Sequence, residues 1–166
     1  MAAGKENKMK FKQSLMENNS VLLNAAASDW RSAIKLGTDM LIRSGAVEPR
    51  YHDAIIGSIE KMGPYIVIAP QFAMPHARPE DGVNRTAFAL VTLTTPVKFE
   101  GEEESVDVLV TLAGSTSDEH MEGLMEVTQV LEDENSESGI NLDKLRACQS
   151  TADVFNVIDQ ALAQVV

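Results

Sequence analysis

The sequence predicts an α/β fold, a single layered domain with a central mixed β-sheet flanked by helices. Three short runs lead there: residues 65–69 (YIVIA), 86–94 (TAFALVTLT) and 106–112 (VDVLVTL). All are rich in β-branched and apolar residues, the mark of strands covered on both faces. Around them, apolar residues recur at helical spacing between capping signals, so helices supply the covering layers. The chain has 166 residues, the size of one domain, and 44% of them are apolar, enough to bury a core.

Taken in order, residues 1–10 are polar, basic and aperiodic, and read as a flexible N-terminal extension to a domain over residues 11–166. A short helix is expected over 11–18, ended by Asn18-Asn19-Ser20, then an extended segment at Val21-Leu22-Leu23. Ser28 is a suitable N-cap for a helix carrying Trp30, Ile34, Leu41 and Ile42, with Gly45 as its stop. Glu48-Pro49 opens another helix, with Ala54, Ile55, Ile59 and Met62 as its apolar stripe and Gly63-Pro64 closing it. The third strand run places Val106, Val108, Val110 and Leu112 on one face. Thr116-Ser117-Asp118-Glu119 is a capping-box signature for a helix over about 118–133. Residues 134–141 read as a surface loop. Two further helices are expected over 142–148 and 152–163, the second capped by Thr151.

Charge is unevenly placed. Fourteen Lys and Arg against twenty-five Asp and Glu give a net charge of −11. Residues 100–143 hold fourteen carboxylates and no Lys or Arg, so the remainder carries about +3. Nucleic acid is repelled by such a segment, and no basic stripe with interleaved aromatics offsets it. An acidic face favours encounter with a basic protein partner, or is simply a solvated surface. No apolar run approaches the ~18 residues of a membrane span. A single cysteine makes no internal disulfide, which fits a cytoplasmic protein. Neither metal nor cofactor is implied: a zinc set, HExxH, GxSxG, P-loop and GxGxxG are all missing from the sequence. Cys148, on a short predicted helix, reads as buried and inert.

The three histidines are the side chains that titrate near neutrality unaided. His52, beside Tyr51 and before Ala54-Ile55, reads as a surface or half-buried helical residue. His76 lies just after a predicted buried strand, where Pro70, Pro75 and Pro79 forbid a helix and stiffen a loop. Such loops at strand ends are where α/β domains place ligand chemistry. Arg78, two residues on, offers a planar fork of donors to an oxyanion. His120 falls in the first turn of the capped helix, in register with Leu124, Val127 and Leu131, so it is expected to face inward. The positive end of that helix favours a neutral imidazole and attracts an anion.

The run Ala73-Met74-Pro75-His76-Ala77-Arg78-Pro79-Glu80-Asp81-Gly82 resembles the phosphorylation site of enzyme IIA components of the bacterial phosphoenolpyruvate-dependent sugar phosphotransferase system, mannitol–fructose family. Residues 63–70 (GPYIVIAP) and Leu145-Arg146-Ala147-Cys148 look most like the ascorbate-specific branch. The resemblance implies a phosphotransferase working as a phosphocarrier. Phospho-HPr would phosphorylate His76, and the domain would pass the group to a cysteine of a IIB component serving a membrane IIC permease. By the same resemblance, His120 matches a second active-site histidine and supplies a hydrogen bond in the transition state. Mannitol-type members carry an Arg on the helix before the active-site strand, whereas residues 54–63 here contain only Lys61, so Arg78 is expected to stabilise the phosphoryl oxyanion instead. Two other readings stay open: a regulatory module phosphorylated on His76 that signals by protein binding, and a plain interaction domain with structural histidines.

Overall fold

The computed structural model describes residues 10–163. The extension expected over residues 1–10 lies outside the described residues except for Lys10, which instead opens the first helix. The elements are α1 (Lys10–Asn18), β1 (Val21–Ala25), α2 (Trp30–Arg43), α3 (Pro49–Met62), β2 (Val67–Ala69), β3 (Phe72–Ala73), a 3-10 turn (Pro79–Asp81), β4 (Ala87–Val97), β5 (Val106–Ala113), α4 (Ser117–Leu131), α5 (Asp143–Arg146) and α6 (Thr151–Ala163).

The five strands form one mixed sheet in the order β1-β4-β5-β3-β2. β1 runs parallel to β4, β4 antiparallel to β5, β5 parallel to β3, and β3 antiparallel to β2. Alternation along the two long central strands divides the core. Ala87, Ala89, Val91 and Leu109 pack with Trp30, Ile34, Leu41, Tyr51 and Ile55 of α2 and α3. Phe88, Leu90, Val108, Val110 and Leu112 pack with Phe11, Leu15, Val127, Val130, Val154 and Ile158 of α1, α4 and α6. The expected helix–sheet–helix sandwich is therefore present, with β4 and β5 buried on both faces.

Several local expectations are corrected. The run over residues 65–69 is not a strand covered on both faces. Gly63 (φ +88) and Pro64 make a turn that uses Tyr65 and Ile66, through Tyr65 N–H to Gly63 O and Val67 N–H to Pro64 O, at 2.8 and 3.1 Å. Only Val67–Ala69 pair, as the sheet's edge, and Ile68 is 49% exposed. Two residues of the segment read as loop, Phe72 and Ala73, form β3, too short to leave a periodic signal. Val106 packs on the α2/α3 side rather than with Val108, because the β4–β5 register shifts between Thr92 and Val97 beside Pro96. Asp29, not Ser28, caps α2, its Oδ1 accepting from Ser32 N–H at 2.8 Å. Ser150, not Thr151, accepts from Asp153 N–H at the start of α6. α5 spans only Asp143–Arg146, and α4 stops at Leu131. Gly45, at φ +83, does end α2 in the left-handed conformation expected of it.

Candidate functional site

The segment after β3 is a strap bonded along its length. Met74 N–H donates to Ile66 O at 2.8 Å, and Leu112 N–H donates to Pro75 O at 2.9 Å, so the parallel pairing with β5 continues past Ala73. Ala77 N–H donates to the Tyr51 hydroxyl at 3.0 Å, and that hydroxyl donates to Leu112 O at 2.7 Å. The Tyr65 hydroxyl donates to His76 O. Proline supplies stiffness and backbone bonds supply position, which is how a non-helical, non-strand residue is held at a strand end.

His76 is partly buried, with Nδ1 2.7 Å from Met74 O. A carbonyl oxygen only accepts, so Nδ1 carries the proton and Nε2 keeps its lone pair. Burial pushes the imidazole pKa below its ordinary value, partly countered by the Met74 carbonyl. At neutral pH His76 is thus an uncharged imidazole with a fixed tautomer and a free lone pair on Nε2.

His120 stands opposite. The two ring centroids are 4.9 Å apart at an interplanar angle of 63°. Thr116 Oγ1 caps α4 by accepting Glu119 N–H at 3.1 Å, as half of the expected box. The other half differs: the Glu119 carboxylate accepts from the Thr86 and Ser115 hydroxyls, pinning the helix start to the sheet. Gly114, at the end of β5, makes the approach possible. A Cβ there would lie 2.6 Å from His120 Cα and 2.7 Å from His120 N, which nothing but hydrogen allows. His120 Nδ1 is buried without a partner. A buried lone pair is less unfavourable there than a buried unpaired N–H, which places the proton on Nε2. Burial, and secondly His76, lower the pKa of His120, so it too is neutral.

His76, His120 and Arg78 line one cavity of about 980 Å³, together with Lys61, Tyr65 and Met121. The sequence-predicted site residues are therefore brought together. Arg78 is 73% exposed at its side chain and held in place: Nε and one terminal nitrogen donate to the Asp81 carboxylate at 3.2 and 3.1 Å. Asp81 raises the Arg78 pKa and is itself held below the ordinary carboxylate value by Arg78. His52 lies elsewhere, its Nδ1 2.8 Å from Thr38 Oγ1 between α2 and α3. Cys148 is buried away from the cavity. Sequence reasoning missed Tyr51, Tyr65 and Gly114, and only Tyr65, framed by Gly63-Pro64, left any local trace. Among the described residues there is no cluster of three or more His, Cys, Asp or Glu able to hold a metal ion, and no helix long and apolar enough to cross a membrane.

Residues 14–161 match the family model described as phosphoenolpyruvate-dependent sugar phosphotransferase system, EIIA 2. The chain belongs to this family. It is 46% identical over 157 residues to the ascorbate-specific PTS system EIIA component of Salmonella typhimurium, covering 93% of this chain and 99% of that one. The Escherichia coli protein of the same name is 45% identical with the same coverage. The crystal structure of a Streptococcus mutans protein described as a PTS IIA, PtxA, superposes with a TM-score of 0.86 at 40% identity, over 93% of this chain and 96% of that one. The mannitol-specific cryptic phosphotransferase enzyme IIA CmtB of Escherichia coli gives a TM-score of 0.77 at 28% identity, over 92% and 99% of the two chains. An EIIA component of this family is a phosphotransferase, and here His76, just after β3, and His120, in the first turn of α4, line one cavity.

Proposed function

We propose that this protein is the phosphocarrier of a sugar phosphotransferase system of the ascorbate type. It accepts a phosphoryl group from phospho-HPr on Nε2 of His76. It then delivers the group to a cysteine of a IIB component, which serves a membrane IIC permease. The observation that carries this reading is the Nδ1–Met74 O bond, which protonates one ring nitrogen and leaves the other as a nucleophile on a cavity-lining ring. The ascorbate assignment draws on the names of relatives 45–46% identical over nearly the whole chain.

The transfer balances simply. The Nε2 lone pair forms the N–P bond as the bond from phosphorus to the donor breaks, its electron pair leaving with the donor. The Nδ1 proton stays on the ring, facing the Met74 carbonyl, so the phosphorylated imidazole keeps a positive charge and remains a good leaving group for the next step. Such chemistry needs alignment and charge stabilisation more than acid–base power. His120, protonated on Nε2, donates to a phosphoryl oxygen in the transition state. Arg78 has donors left over after Asp81 has taken two, and these stabilise the oxyanion.

The test is acid-labile phosphate incorporation from purified phospho-HPr. Wild-type protein should label stoichiometrically and His76→Ala not at all, with its fold intact because a strap side chain contributes little to the core. Wild-type labelling of His76→Ala would overturn the assignment.

A further inference from the structure

The chain contains two tyrosines, and both hydroxyls end on the backbone of the His76 strap. Their roles differ. Tyr51 is wholly buried and also bonds Leu112 O, so it joins the strap to the core. Tyr65 lines the cavity from the turn before β2, and its hydroxyl has the His76 carbonyl as its hydrogen-bond partner. Its ring stands edge-on to the His76 imidazole, centroids 5.2 Å apart at 87°.

We propose that Tyr65 is a positioning residue that holds His76 in the Nδ1–H tautomer and thereby keeps Nε2 free to attack phosphorus. The inference rests on the phosphocarrier reading for its kinetic consequence, though not for its structural one. An imidazole free in water prefers its proton on Nε2. His76 is held in the opposite state by a bond reaching two residues back, from Nδ1 to Met74 O at 2.7 Å. That reach demands one backbone conformation at His76 and one ring rotation. The Tyr65 hydroxyl fixes the first by anchoring the His76 carbonyl, and the Tyr65 ring edge limits the second. With the anchor gone, the strap flexes, the ring leaves Met74 and the proton returns to Nε2. In that tautomer the only ring lone pair is on Nδ1, the nitrogen nearer the backbone, and the outer nitrogen has none to offer an incoming phosphoryl group.

The test compares wild type, Tyr65→Phe and Tyr51→Phe as the full chain labelled with nitrogen-15. Imidazole nitrogen shifts report the His76 tautomer, and phosphoramidate, a donor with no protein surface, reports the rate of His76 labelling. Tyr65→Phe should convert much of His76 to the Nε2–H form. Its labelling rate should fall about three- to tenfold, in proportion to the competent fraction, with KM unchanged. Its melting temperature should stay within about 4 °C of wild type. Tyr51→Phe should do the reverse, melting lower while keeping the wild-type tautomer. A wild-type tautomer ratio in Tyr65→Phe, or a shifted ratio with a wild-type rate, overturns the proposal. Failure of wild type to label at all would overturn the phosphocarrier reading, while the tautomer measurement, which needs no phosphate, would still decide the role of Tyr65.

Discussion

His76 and His120 face one another with ring centroids 4.9 Å apart, one imidazole with its proton locked on Nδ1 and the other with Nδ1 buried and unpartnered. On the proposed roles, two neutral histidines so placed divide the labour between nucleophile and donor. Losing a preorganised donor typically slows such a step ~10²–10³-fold, whereas losing the nucleophile stops it. His120→Ala should therefore still be labelled on His76 but pass phosphate to IIB at least ~10²-fold more slowly, and His120→Gln should recover part of the loss. Rapid-quench transfer assays check this, and unchanged transfer by His120→Ala would contradict it.

Gly114 offers a second route to the same defect. A methyl group there must push the first turn of α4 away from β5, because it would collide with His120 backbone atoms rather than with a pliable side chain. Gly114→Ala should show the transfer defect of His120→Ala with the His120 side chain still present. It should also lose about 1–3 kcal/mol of stability from overpacking, measurable by urea denaturation.

The pH profile of labelling follows from the tautomer and the burial of His76. Its pKa lies below the ordinary 6.5, so the neutral imidazole is the major form at and above that pH. Labelling by phosphoramidate should change little from pH 8 to 7.5 once donor ionisation is allowed for, then fall as acid protonates the ring, with its midpoint below 6.5. A midpoint above 6.5 would show that His76 is not desolvated as described.

Glu126 gives stability the opposite pH dependence. Its carboxyl, on α4, accepts Phe11 N–H at 2.9 Å near the start of α1, and burial raises its pKa to about 7 from an ordinary 4.5. A group whose folded pKa is raised contributes its full stability below the unfolded value and loses it as pH rises through the folded one. Glu126→Gln should therefore raise the melting temperature most at pH 8 and least below pH 4.5. Equal shifts at both ends would refute this.

Salt should slow the encounter with the donor. Glu122 and Asp118 flank His120 on α4, a helix without Lys or Arg, and Met121 beside them is 56% exposed. Stopped-flow transfer from phospho-HPr should lose kcat/KM with rising ionic strength while kcat holds. A flat response would return the acidic segment to a solvated surface.

What the sequence made legible was local. His76 was visible because three prolines break any periodic pattern around it, and His120 because a capping signature fixes the register of its helix. The long strands β4 and β5 were visible because burial on both faces writes itself as a continuous apolar run. Tyr65 and Ile66 mimicked that run for another reason: Ile66 fills the core while Tyr65 reaches the strap, so the apolar spelling served a turn rather than a strand. Tyr51 acts on a residue 26 positions away, beyond any window along the chain, and Gly114 meets His120 across the turn from β5 into α4, a contact that no periodic pattern encodes. Asp29 and Ser150 displaced the expected caps by one residue, because neighbouring Ser, Asp and Thr are nearly equivalent until the backbone chooses one.

Both histidines and the Arg78 guanidinium open on the same cavity, and that has a kinetic meaning. With His76 as the proposed phosphoryl site, donor and acceptor each need the same mouth, which rules out a ternary complex. On that assignment the protein is a relay with a single berth: the donor departs before the acceptor docks, and the phosphoryl group spends the interval alone on His76. Turnover is then double displacement, limited by whichever partner leaves more slowly. Surplus unphosphorylated acceptor, by sitting in the berth, becomes an inhibitor of its own supply.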